Sequence, residues 1–251
     1  MQGDTKLDRT VRYGFNIIIV ICVYTLLFEV SILDAQFFYT SSDNIVNLLC
    51  VISGVPPSDL LLEIPMVKWM LAISVVFTLV GREVYDQQNN LKYIAMIRYG
   101  SYRRFYQGLM NITVINVLIY GSIGTLTTYA LYIYKGYGQV SNIVFAEIYI
   151  IYLSQLLLLC LLQTLCMILT QGYTTSILLL LLWFLMVMFG HLTLRSAWSW
   201  LPANWGMYLR WAKVLPGGVK HTAYYLQAGM CFLLWLGIPL IVRNPGYCED
   251  F

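Results

Sequence analysis

The chain has 251 residues, 59% of them hydrophobic and 11% charged, against roughly 25% charged in an ordinary soluble domain. So few charges cannot cover a water-soluble globule of this size, which excludes water as its main solvent. The net charge of +3, from 15 basic and 12 acidic residues, is too small an excess for a nucleic-acid-binding face.

A helix that crosses about 30 Å of hydrocarbon needs about 20 mostly apolar residues, because its backbone groups must be satisfied internally. By that rule the expected fold is an all-α membrane protein with six spans, at 13–33, 65–81, 109–134, 142–171, 175–194 and 222–242. No linker, repeat or low-complexity tract divides residues 1–251, which read as one membrane domain. Most cysteines, among them Cys22, Cys160, Cys166 and Cys231, fall inside apolar runs without ligand spacing, so they read as packing residues and no metal is expected.

Lys6, Arg9 and Arg12 precede the first run, and Phe28, Glu29, Val30 and Ser31 stand where a cleavage site would be, so that run reads as a retained anchor. The first outer loop carries no Lys or Arg, and Pro65 suits the start of the second span. Nine basic residues fall on the N-terminal side of the membrane against five in the opposite loops, which places both termini in the cytoplasm.

The connector 82–108 is the only sizeable cytoplasmic segment. It runs from a polar stretch through an apolar patch to a break at Gly100 and Ser101 and a second basic-aromatic piece. Leu91, Ile94, Ile97, Arg98, Tyr99, Gly100, Ser101, Arg103 and Arg104 are its candidate docking residues, since Arg, Tyr and apolar side chains on a short rigid element suit an interface centre. The other reading is a topology-setting basic loop with Tyr99, Tyr102, Phe105 and Tyr106 as interfacial anchors.

In the third span Gly121, Gly124, Thr125 and Thr128 share one face without bulk, a pattern for close helix packing. Three ionisable residues lie inside spans, Glu29, Lys68 and Glu147, all near outer ends where they snorkel or pair between helices. Gln155 and Gln163 follow Glu147 at intervals of eight, which turns each by about 80°, so interhelical hydrogen bonds are expected rather than a polar stripe.

The outer loop 195–221 holds Trp198, Trp200, Trp205 and Trp211, and is expected to lie on or dip into the outer leaflet as an interfacial or re-entrant element. Glu29, Glu147, Gln155, Trp198, Trp200 and Trp205 are the candidate substrate path or gate.

Six spans, a connector after the second and a long outer loop before the sixth resemble the type-2 permease subunit of an ATP-binding-cassette exporter. Glu63-x-Pro65-x-x-x-Trp69 followed by Arg98-x-Gly100-Ser101-x-x-x-Phe105 is further similar to small Gram-positive permeases for bacteriocin or antibiotic-peptide export and self-immunity. The resemblance implies a multi-pass protein of the bacterial cell membrane whose segment 91–106 acts as a coupling helix on a cytosolic ATPase subunit. It also implies a second permease copy, identical or related, and an amphipathic or peptide cargo. ATP and magnesium would belong to the partner, because this chain has no G-x-x-x-x-G-K-[ST] sequence and binds no cofactor of its own. The alternative is a secondary transporter or channel without an ATPase, which calls for buried charges and broken helices. An intramembrane enzyme would need a paired Glu/His, Asp/Asp or Ser/Lys constellation, and the spans show none, so no catalytic residue is assigned.

Overall fold

The computed structural model describes residues 6–38, 50–54, 64–90, 102–136, 141–170, 172–192, 200–211 and 218–241. The described chain is helical: α1 (Lys6–Phe38), α2 (Cys50–Ser53), α3 (Ile64–Asn90), α4 (Tyr102–Tyr134), α5 (Asn142–Thr170), α6 (Thr174–Leu192) and α7 (His221–Ile241). Between α6 and α7 come two 3-10 turns, Pro202–Asn204 and Tyr208–Arg210. Among the described residues there is no strand, only a single bridge between Trp211 and Val219.

Five helices are long and apolar enough to cross a bilayer, covering Thr10–Ile32, Ile64–Asn89, Arg103–Tyr134, Asn142–Thr170 and His221–Leu240; Thr174–Phe189 is a shorter apolar helix. Their outer faces are apolar: Leu26 is 64% exposed, Leu178 61% and Leu233 70%. Water would penalise such a surface, whereas hydrocarbon does not. This is a multi-pass membrane protein.

The pairs formed between helices define how they run. Asn16 meets Glu83 and Tyr24 meets Ala72, so α3 descends where α1 ascends. Thr113 meets Thr164 and Ser122 meets Tyr149, so α5 runs against α4. α5 is the hub and packs on α2, α3, α4, α6 and α7. Its contact with α4 is close because Gly121 offers no side chain: a Cβ there would lie 2.5 Å from Leu153 Cδ2. A Cβ on Gly124 would lie 2.5–2.7 Å from the Tyr24 ring, so the small face of α4 is used on both sides.

Two sequence expectations change. The second span and the connector are not divided at residue 82, because α3 continues unbroken to Asn90 and α4 already begins at Tyr102. Residues 82–90 and 102–108 are helix extensions, held because their inner faces find partners in the bundle. Glu83, Val84 and Gln88 are buried, as are Phe105 and Tyr106, which therefore do not act as exposed anchors. Of the two roles expected for Lys68, snorkelling does not fit, since it is 3% exposed, and it interacts with another group inside the protein.

Candidate functional site

The segment 201–211 leaves the α6 end of the bundle and packs inward. Trp205, Met207, Leu209 and Trp211 are buried, and so is Arg210, at 0% exposure. A guanidinium is held there only by hydrogen bonding, and Arg210 Nη1 donates to the side-chain oxygen of Asn204, also fully buried. The short turns place these two groups together, Arg210 N donating to Met207 O at 2.9 Å and Trp211 Nε1 to Trp205 O at 3.0 Å. The segment thus meets some of its own polar groups internally, and Asn204, Tyr208 and Arg210 make further interactions besides, as buried irregular backbone in a membrane protein must.

Two glycines let it seat. Gly54, with φ of 78°, would carry a Cβ 2.5 Å from Met207 Cβ, so both its backbone conformation and the approach of the segment require glycine. Gly206 rests directly on Gln155, whose Cβ would lie 2.5 Å from a Cβ at position 206. Gln155 is thirteen residues into α5, about 20 Å along the helix at 1.5 Å per residue. The segment therefore reaches well into the bundle, behaving as a plug.

Beneath the plug lies a set of buried amides. Gln227 Nε2 of α7 donates to Gln155 Oε1 at 3.0 Å, the interhelical bond expected for Gln155. Gln155 Nε2, Gln227 Oε1 and both polar atoms of Gln163 have no partner among the described residues. Gln163 was expected to bond between helices; instead its amide abuts Gly81, which offers it nothing to bond. Nearby, the hydroxyls of Tyr24 and Tyr152 share a hydrogen bond of 2.6 Å, and Tyr24 donates to Ala72 O at 3.3 Å. No family model, curated protein or solved structure matches this chain.

At the opposite end of the bundle is a second polar cluster. Asn16 Nδ2 lies 3.2 Å from Glu83 Oε1 and 3.1 Å from Tyr120 Oη. One turn earlier in α1, Arg12 pairs with Asp86 at 2.8 Å, both side chains about one-third exposed. By sequence Glu83 falls in the cytoplasmic connector 82–108, and its burial follows from the continuation of α3 to Asn90. The signal in the sequence is weak: Glu83 and Asp86 sit three apart with no helix breaker between them and the second span.

The remaining candidates separate. Glu29 pairs with Lys135 at 3.0 Å on the exposed surface, one of the two roles expected for it. Glu147 lines a cavity with Tyr208 and Trp211. Trp200 is 73% exposed whereas Trp205 is 5% exposed, so the tryptophans do not form one interfacial belt. Arg103 and Arg104 are exposed on the first turn of α4. Leu91, Ile94, Ile97, Arg98, Tyr99, Gly100, Ser101 and Trp198 lie outside the described residues.

Proposed function

We propose that this protein is the membrane-spanning subunit of an ATP-driven exporter of the ATP-binding-cassette class, moving an amphipathic or peptide cargo across a bacterial cell membrane. In this reading α6, 19 residues long and about 28 Å at 1.5 Å per residue, is the fifth of six spans. Both termini are cytoplasmic, and the plug is the re-entrant element.

Transport rests on one observation: buried amide groups without partners beneath a plug of irregular chain. Each unmade hydrogen bond costs about 1–3 kcal/mol, and apolar side chains would fill the same space more cheaply. Such an interior favours a protein whose amides gain partners in another state, either from rearranged helices or from cargo. An external motor is favoured by the resemblance around Arg98-x-Gly100-Ser101-x-x-x-Phe105 and by a sequence without a phosphate-cradling loop. The helices also supply a lever. Residues 91–101 join α3 to α4, and α3 and α4 carry Gly81 against Gln163 and Gly121 against Leu153, so a push on that connection reaches the hub helix.

The test is to purify the protein from its own membrane and ask whether an ATPase subunit comes with it. Arg98→Glu with Arg103→Glu is expected to abolish that association while membrane insertion persists. A transport-competent preparation with no nucleotide-binding chain would sink the proposal. A second reading, an ion-coupled carrier, is favoured by the buried Glu83 with Asn16 and Tyr120. It predicts export that survives ATP depletion, stops when the ion gradient is collapsed, and is lost in Glu83→Gln.

A further inference from the structure

A cavity of about 320 Å³ lies where the starts of α5 and α7 meet the plug, walled by Tyr208, Trp211, Tyr224 and Tyr225 with Glu147 and His221 at its lining. Trp211 and Tyr224 have ring centroids 6.4 Å apart at 62°, and Tyr224 and Tyr225 are 6.1 Å apart at 74°. Rings that meet this steeply form the walls of a box. A stacked pair, such as Tyr129 and Phe145 at 3.9 Å and 20°, instead spends its faces on itself.

The deep walls are built before any ligand arrives. Trp211 is 3% exposed, its indole N–H is committed to Trp205 O at 3.0 Å, and its backbone is bridged to Val219. Val219 N donates to Arg210 O at 2.8 Å, which ties the start of α7 to the plug. Tyr225, 74% exposed, stands at the mouth.

The lining selects a charge type. Aromatic faces carry negative quadrupole density and attract cations, most strongly where water is excluded. Glu147 adds a carboxylate, which also interacts with another group of the protein, and no Lys or Arg is among the described lining residues. The Trp211 indole N–H is committed to Trp205 O, which leaves the His221 imidazole as the ring N–H donor of the lining. The volume lies at the small end for ligand pockets, right for a headgroup and too small for a folded peptide.

The geometry points to a binding site for an organic ammonium group, quaternary or primary, held in the aromatic box beside Glu147. This site does not depend on the transport reading or on how the protein is powered. The same chemistry is offered by a lipid headgroup and by a soluble amine.

The experiment uses the full chain in maltoside micelles, titrated with choline and with 3,3-dimethylbutanol, its uncharged isostere, followed by ligand-detected NMR. Choline is expected to bind saturably and about tenfold more tightly than the isostere, the scale of a desolvated cation on aromatic faces. Tyr225→Leu and Glu147→Gln are each expected to erase that preference, and Tyr225→Leu removes an exposed ring on which folding does not rest. Equal binding of the two probes, no saturable choline binding, or an unchanged preference in Tyr225→Leu would overturn the assignment. Nanodiscs then separate the sources. Loss of choline binding in phosphatidylcholine discs but not in phosphatidylglycerol discs identifies a lipid headgroup, and equal binding in both identifies a soluble amine. Either result upholds the site.

Discussion

Gly206→Ala should lift the plug from the bundle. A Cβ at this position would lie 2.2 Å from Gln155 Cγ, 2.5 Å from its Cβ and 2.7 Å from its Cδ, about 1 Å inside ordinary contact. The Cδ can swing away, but the Cβ is fixed by α5, so the plug or the helix must move. Overpacking of this kind costs roughly 1–3 kcal/mol. Displacing Gln155 also strains its bond to Gln227, worth about 0.6 kcal/mol in comparable membrane helices. A destabilisation of about 2–3 kcal/mol is expected, measured by thermal unfolding in detergent. Gly229→Ala is the internal control: nothing lies within 4 Å of its Cβ position, and alanine in a helix gains up to about 1 kcal/mol over glycine, so its shift has the opposite sign. Adding Gln155→Ala to Gly206→Ala removes the Cγ and Cδ contacts but leaves the Cβ, and should recover about half the loss. The seating of the plug on Gln155 is refuted if Gly206→Ala behaves like Gly229→Ala. It is equally refuted if the two changes at 206 and 155 add within about 0.5 kcal/mol, as independent sites do.

A buried and an exposed charged contact of α1 should respond differently. Asn16→Ala takes the amide donor from a buried carboxylate and is expected to cost about 1.5–3 kcal/mol; a loss below about 0.5 kcal/mol in the same unfolding assay would show that Glu83 does not depend on it. Glu29→Gln breaks a pair whose side chains are 43% and 36% exposed, so solvent screening holds the change to within about 0.5 kcal/mol and added salt should shrink it further.

Much of the membrane architecture is legible in composition and local spacing. The hydrophobic runs locate α5 and α7 to within one residue and α1 and α4 to within seven, because a bilayer imposes its thickness on each helix separately, without reference to its neighbours. The small face of α4 is legible for a similar reason. Gly121 and Gly124 are useful only where another helix comes close, and their three-residue spacing declares one side. The interhelical bond of Gln155 follows from the cost of an isolated amide in hydrocarbon, although the partner, Gln227, does not.

What tertiary structure alone decides is which polar residues are inside. Glu83 and Lys68 look like a connector charge and a snorkelling charge because hydropathy registers the residue and not what surrounds it. Glu83 is buried where α1 and α4 pack along α3, and Lys68 is likewise enclosed in the bundle. Trp205 and Trp211 carry the composition of an interfacial belt, yet they fill the interior, since two 3-10 turns and a buried Asn204–Arg210 bond fold their segment back on itself. Residue composition thus determined that the chain lives in a bilayer and about where its helices lie. The polar interior, the plug and the aromatic box depend on residues far apart in sequence, whose partners are fixed only when the helices pack together.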